Sequence, residues 1–395
     1  MTVQINPTAL RSVRQQRALA INSVAEFTKI SANRISEFES GERSPTYKQV
    51  SRLAKLYGVP SYLLAIEGVP NVPPPPHDYR KPTQESAELT PQGLRTILQT
   101  ERLSEFSGEM LGINPIEQLD LETPAKNAED PISSANLLRE AFDNWFKPRR
   151  EKLGFAGSNV TQTISALKLF AECHGRVART DDAPPKDYMG FYIEPEVGLP
   201  SIYINRKISS KKAQLFTLMH EYSHALMNAE GISDPFVLQN DIERRCNRFA
   251  AEFIAPEAEV RKIVEGIGRT ARDDPQTLTE TISRRSFLSK QASAVRAFEL
   301  GFINQTSLTQ MLELYRFNRR EEKTEEQLEE SNEFGWQHAK RIAELGHLSI
   351  YLAKVGIDKD QIDKVDVKQS ISLAFPTQEK AFDLAARRIE AALSS

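Results

Sequence analysis

The segment "LMHEYSHALM", residues 218–227, decides how the central part of this sequence folds. Its two histidines, His220 and His224, are four residues apart with apolar residues between them. Residues i and i+4 lie on one face of an α-helix, so both imidazoles can point at one centre. Two neutral imidazoles suit Zn²⁺, and a catalytic zinc site also needs a third protein ligand and an open position for water.

Glu221 directly follows the first histidine and is displaced around the helix. Its carboxylate can therefore reach a water at the same centre without binding the metal, which is what a general base for hydrolysis requires. We expect Ser209 or Ser210 to cap this helix. The alternative is a buried helix whose two histidines are satisfied by hydrogen bonds, and spacing alone does not separate the two. A third ligand would.

The stretch "DIERRCNRFAAEFIAP" (241–256) supplies a candidate third ligand. Glu243 and Asn247 are four apart and share a helix face with small alanines, so Glu243 could complete a His-His-Glu site. Asn247 could orient one of the ligands by a hydrogen bond. Asp241 and Glu252 are rival carboxylates, but neither has such a partner on its own face.

Together, "TLMHEYSHALM" and "ERRCNRFAAEFIAP" resemble the ImmA/IrrE family of zinc metallopeptidases. The upstream stretch "GFYIEPEVGLPSIYINRKISSKKAQLFTL" also resembles that family, and the similarity covers about 170–256. The resemblance implies that His220, His224 and Glu243 bind zinc and that Glu221 is the catalytic base. It also implies a regulatory protein as substrate, typically a DNA-binding repressor. Gln214 departs from the family pattern, where a basic residue is expected.

Residues 7–65 fit a five-helix, helix-turn-helix pattern and resemble phage-repressor-like domains of the XRE type. We expect one short helix over 22–29, a turn at Ile30 and a second helix over 31–39 capped by Ser31. Glycine at the end of the second helix suits a left-handed C-cap. Apolar residues are predicted to fix the angle between the two helices: Val24, Ala25, Ile35 and Phe38. Glu39 is predicted to be structural.

In this fold the start of the second helix enters the major groove of DNA. The side chains predicted to face bases are Ala32, Asn33, Ser36 and Glu37. Asn33 could pair with adenine. The side chains predicted to contact phosphates are Arg34, Arg43 and Lys48. The alternative is a helical adaptor that binds protein, which the acidic Glu37 and Glu42 favour.

The charge distribution agrees with a DNA-facing module on a larger body. The 395 residues carry a net charge of −3. Residues 1–65 hold nine Lys/Arg and four Asp/Glu, a net of +5, which leaves −8 on the remainder. A basic N-terminal piece on an acidic body is typical of a phosphate-binding module attached to something else. The chain has two cysteines and no apolar run of membrane-spanning length, so we expect a cytoplasmic protein that does not bind membranes.

The predicted fold class is α+β and mostly helical, with a zincin-like central domain that holds a small sheet. Strands are expected at 176–180, 189–195 and 201–206 because these runs are rich in β-branched and aromatic residues. The predicted domains are a helix-turn-helix domain (1–67), a Pro-rich linker (68–82), a helical connector (83–153), a peptidase domain (154–260) and a helical C-terminal region (261–395). The charge run 319–333 is expected to be a solvated helix face or a connector.

Three functional hypotheses follow. The first is a zinc endopeptidase tethered to a domain that binds operator DNA, which cleaves a repressor or antitoxin and so relieves repression, with homodimers on paired half-sites. The second is a transcriptional regulator or antitoxin whose peptidase-like domain senses or binds without catalysis. The third is a general protein-interaction hub, which the basic N-terminal module disfavours.

Overall fold

The computed structural model describes residues 2–72, 89–120, 122, 125, 130–155, 159–208, 210–233, 241–318 and 337–394. The described part combines many helices with one small sheet, as the sequence predicts. None of the described helices is long and apolar enough to cross a membrane. Most of the predicted linker (residues 73–82) and the charge run 319–333 lie outside the described residues.

The N-terminal module is a bundle of short helices around one apolar core. It contains α1 (Pro7–Gln16), α2 (Ile21–Thr28), α3 (Ala32–Ser40), α4 (Tyr47–Tyr57) and a short 3-10 helix (Ser61–Leu64). Asn6 caps α1 by accepting from two backbone amides, and Thr46 with Gln49 forms a capping box on α4. Ser31 is the N-cap residue of α3, but its side chain makes no capping hydrogen bond. Gly41 ends α3 at φ +82°, where a side chain would be strained.

Residues 66–72 fold back over the N-terminal module. The Asn6 side chain donates to the carbonyls of Ile66 and Gly68, and the Gln16 side chain joins Pro70 O and Val72 N. Val72 is buried in the module's core. Residues 68–72, which fall within the predicted linker, are therefore held against α1.

Helix α5 (Pro91–Ile113) contacts three parts of the molecule. Leu94 and Leu98 complete the core of the N-terminal module, where Leu98 lies against Gly58. The carbonyl of Gly93 accepts from the hydroxyl of Tyr188, which belongs to the region around the sheet. Ser107 pairs with Ser349 in the C-terminal helices. The N-terminal module is thereby packed onto the body of the protein through apolar contacts.

Within the described residues, the sheet has four strands in the order β1-β3-β2-β4. These are β1 (Val177–Asp181), β2 (Gly190–Ile193), β3 (Ser201–Asn205) and β4 (Gly231–Ser233). The first strand is parallel to β3, and the other pairings are antiparallel. The three predicted strands are confirmed with shifts of one or two residues, and β4 is an addition that the sequence did not indicate.

Helices cover the sheet and extend the same core to the end of the described chain. The helices around the sheet are α6 (Pro131–Arg149), α7 (Val160–Cys173), α8 (Lys211–Met227) and α9 (Asp241–Ile254). The following helices are α10 (Glu257–Glu265), α11 (Arg269–Asp273), α12 (Pro275–Arg285), α13 (Lys290–Glu299) and α14 (Gln305–Asn318). The last four are α15 (Gln337–Leu345), α16 (His347–Asp358), α17 (Lys364–Ile371) and α18 (Phe375–Leu393). Residues beyond 260 thus contribute to the main apolar core.

Candidate metal centre

Helices α8 and α9 bring the predicted metal ligands together in the interior. Ser210 caps α8 by accepting from Ala213 N, and Ser209 lies outside the described residues. His220, His224 and Glu243 are all completely buried. Helix α9 packs directly across α8, and the small Ala250 at this packing surface is also fully buried.

The two histidine Nε2 atoms and the Glu243 carboxylate meet at one point between the helices. Nε2 of His224 lies 3.2 Å from Nε2 of His220. The Glu243 carboxylate approaches both rings, with Oε1 at 3.2 Å from His224 Nε2 and Oε2 at 3.2 Å from His220 Nε2. Ligands about 2.0–2.1 Å from a tetrahedral zinc are separated by roughly 3.3 Å, so these spacings match the edges of such a coordination shell.

The hydrogen bonds behind the histidines decide which ring nitrogens face the centre. Nδ1 of His220 lies 2.9 Å from Asn247 Oδ1, and Nδ1 of His224 lies 3.0 Å from the carbonyl of Ala229. Both partners are acceptors, so each Nδ1 carries a proton and each ring, in its neutral form, presents a lone pair at Nε2. Two such lone pairs and a carboxylate face one point, and a cation there would satisfy all three.

The charge states of Glu243 and His224 also favour binding of a cation. Burial raises the pKa of Glu243, but the neighbouring imidazoles of His220 and His224 lower it by more, to about 2. Burial lowers the pKa of His224 despite the nearby carboxylate. The carboxylate is therefore ionised at neutral pH, and burial favours the neutral form of His224, which is the form that binds a metal. The donor set of two imidazoles and a carboxylate fits zinc.

The rival ligands differ in their surroundings. Sγ of Cys246 lies within 4.8 Å of nitrogens of both histidines. Burial raises the pKa of this thiol well above its ordinary value, which keeps it protonated as long as no metal is bound. Asp241 is exposed and pairs with Arg244, and buried Glu252 pairs with Arg296. Glu243 is thus the carboxylate that reaches both rings.

Glu221 is completely buried beside strand β2. A Cβ at Gly190 would lie 2.5 Å from Glu221 Oε1 and 2.7 Å from Thr217 Cγ2, so only glycine leaves room for this carboxylate. Sequence reasoning missed Gly190. A glycine within a strand marks a close approach by another group, and that signal could have identified it.

The residues predicted to contact DNA lie on or near α3. Asn33, Arg34 and Ser36 are exposed, whereas Ala32 is half-buried. Glu37 forms an ion pair with Arg43 at 3.0 Å, so two predicted contacts pair with each other. Lys48 is exposed on α4.

Two basic residues of the module are internal. Arg14 forms a bidentate ion pair with Glu39 and donates to Leu19 O, which gives Glu39 the structural role expected of it. Arg17 donates to the carbonyl of Tyr57. Both arginines are buried and are not part of a DNA-facing surface.

The family comparisons agree with this arrangement. Residues 171–298 match the model of the M78 peptidases, described as an IrrE N-terminal-like domain. Residues 8–65 match a helix-turn-helix domain. The chain therefore fuses a helix-turn-helix domain, typical of DNA-binding regulators, to a domain of a peptidase family that is typically metal-dependent. No curated protein and no solved structure matches the chain.

Proposed function

We propose that this protein is a cytoplasmic zinc endopeptidase tethered to a DNA-binding domain. It would cleave a peptide bond in a regulatory protein, a repressor or an antitoxin, and so relieve repression. The observation that carries the proposal is the meeting of His220, His224 and Glu243 at mutual spacings of 3.2 Å, with Nε2 of both imidazoles directed inward. The match to a peptidase family over 171–298 supports the reaction class.

His220, His224 and Glu243 would hold the metal, and Asn247 would orient one of them. The hydrogen bond from His220 Nδ1 to Asn247 fixes the ring so that Nε2 faces the centre. The Ala229 carbonyl does the same for His224. When bound, zinc would lower the pKa of a water and polarise the scissile carbonyl.

Glu221 would act as the general base. It adjoins the first ligand along the chain, and its burial against β2 holds the carboxylate in one position. A carboxylate in such a place accepts a proton from the attacking water and can pass it to the leaving amine. The enclosing strand also keeps bulk solvent away from this carboxylate.

The helix-turn-helix domain would place the peptidase on operator DNA. The exposed side chains at the start of α3 are available to bases, above all Asn33. Arg34, Arg43 and Lys48 would contact phosphates. Tethering raises the concentration of the peptidase near a target bound to the same DNA, and homodimers would occupy paired half-sites.

Metal content of the purified protein tests the proposal first. We expect about one zinc per chain in wild type and little in His224→Ala or Glu243→Ala. Glu221→Gln then tests the reaction: it should keep zinc and DNA binding but lose cleavage of candidate repressors. A wild-type protein that binds no zinc when zinc is supplied would refute the metal site.

The second candidate is a regulator whose peptidase-like body is a sensing module without turnover. The packing of Leu94 and Leu98 of α5 into the core of the N-terminal module favours it, because this contact joins the DNA-binding domain to the body. A metal can also stabilise a fold without catalysis. In this case Glu221→Gln would behave as wild type in every assay, and a change in metal occupancy would alter DNA binding.

A further inference from the structure

A groove lies between helix α5 and the loop that joins β2 to β3. Its volume is about 900 Å³, within the usual range for ligand sites. The floor is apolar and includes Leu111, Ile116 and Leu199. The helix and the loop touch where a Cβ on Gly108 would lie 2.5 Å from Gly198 Cα, so the glycine pair lets the two walls meet.

The rim of the groove is acidic. Glu105 and Glu109 lie four apart on α5, Glu196 lies on the opposite loop, and all three are exposed. Among the described residues, no lysine or arginine lines the groove, and none of the three glutamates forms an ion pair. Next to the apolar floor, Val197 is 70% exposed. Such a surface matches an occupant that carries both apolar and positively charged side chains.

We infer that this groove binds a Lys/Arg-rich, partly apolar segment of the protein substrate. The inference rests on the proposed function and names a substrate class within it: a regulatory protein with a basic DNA-binding surface. The acidic rim of the groove is complementary in charge to such a basic segment, and this favours it as the occupant. The basic N-terminal domain of a second copy of the chain is the rival occupant, and it would make the protein self-associate.

The probe is a short fluorescent peptide of alternating lysine and leucine, titrated by anisotropy. Two matched peptides replace either the lysines with glutamate or the leucines with serine. We expect the lysine–leucine peptide to bind most tightly, and its affinity to fall as salt is added. The triple variant Glu105→Gln, Glu109→Gln, Glu196→Gln should weaken binding on the order of tenfold, since each exposed pair contributes roughly a factor of two to three.

The matched control removes three exposed glutamates that do not line the groove: Glu140, Glu265 and Glu313, each changed to glutamine. It should leave binding within about twofold of wild type. Equal weakening by both triple variants would overturn the inference, because it would indicate attraction to net charge alone. Equal binding of the lysine–serine peptide would overturn the role of the apolar floor.

Two further outcomes also bear on the inference. Self-association in sedimentation experiments, abolished by the groove variant and not by the control, would assign the groove to a second copy and overturn the substrate role. Peptide binding needs neither metal nor turnover, so it is measured with and without a chelator. A wild-type protein that binds zinc but not the peptide would refute the groove alone, and one that binds the peptide but not zinc would refute the peptidase site alone.

Discussion

Replacing Glu243 with glutamine should abolish metal binding and destabilise the metal-free protein. In wild type, burial raises the pKa of Glu243, but the imidazoles 3.2 Å from its two oxygens lower it by more, to about 2, so the ionised carboxylate stabilises the folded state at neutral pH. A glutamine amide keeps the shape but has no charge, and its nitrogen replaces only one of the two oxygens. Losing a hydrogen bond to a charged group costs about 1.5–3 kcal/mol. The metal-free variant should therefore be less stable than metal-free wild type.

The size of the effect on thermal unfolding follows from the chain length. An unfolding entropy of about 2.1 cal/mol/K per residue over 395 residues makes 1 kcal/mol equal to roughly 1.2 °C, if the chain unfolds as one unit. Zinc at a thousandfold excess over its Kd adds about 4 kcal/mol, or roughly 5 °C, to wild type. Glu243→Gln should show almost no zinc-dependent shift, and its metal-free Tm should lie below that of wild type by about 2–4 °C.

The assay is calorimetry with and without a chelator, together with elemental analysis of zinc. Two controls on the same helix are Asp241→Asn, at an exposed rival carboxylate, and Cys246→Ala, at the buried thiol near both histidines. Both should keep the zinc-dependent shift. If Glu243→Gln binds one zinc and shifts as wild type does, Glu243 is not a ligand. If Cys246→Ala loses the shift instead, the third ligand is the thiol.

Three other predictions follow. Gly190→Ala should keep zinc but destabilise the protein by about 1–3 kcal/mol in urea unfolding, because the added Cβ would displace the Glu221 carboxylate. Cleavage should fall on the order of a hundredfold for the same reason, and wild-type stability of the variant would contradict this account. Leu94→Ala should lower the free energy of unfolding by about 2–5 kcal/mol, since this fully buried side chain joins the N-terminal core to α5. An unchanged urea midpoint would show that the two parts do not share a core. Burial lowers the pKa of Lys168 from 10.5 to about 8, so wild type should gain stability as pH rises from 8 to 10.5, because over this range the unfolded chain still holds the proton that the folded chain has lost. The stability of Lys168→Met relative to wild type should therefore fall by about 3 kcal/mol over that range in urea titrations, and a constant difference would refute the shift.

Much of the fold and of the candidate site could be predicted because the relevant signals are local. The spacing of His220 and His224 within one helix fixes their common direction, and Asn247 four residues after Glu243 marked that carboxylate among three. The short strand β4 gave no signal, since "GIS" is too short to show alternation. It forms through pairing with β2, which is a tertiary effect.

Charge in the N-terminal module was harder to interpret from sequence. Arg14 and Arg17 count towards its positive charge, yet both are buried, and Arg14 is neutralised by Glu39 from a different helix. Composition reports how many charges a segment has but not which of them reach the surface. The acidic groove is hidden for the same reason, because Glu105 and Glu196 are far apart in the chain and meet only when α5 packs against the β2–β3 loop.

Helix α5 fixes the orientation of the peptidase-like body relative to any DNA that the N-terminal module binds. The double helix turns once in about 10.5 base pairs, so moving the binding site by half a turn would carry a firmly attached body to the opposite side of the duplex. Cleavage of a substrate bound at a neighbouring site would then rise and fall with the spacing between the two sites, with the period of DNA. If the body were joined by a flexible tether, cleavage would depend only on the distance between the two sites and not on which side of the duplex the substrate lies.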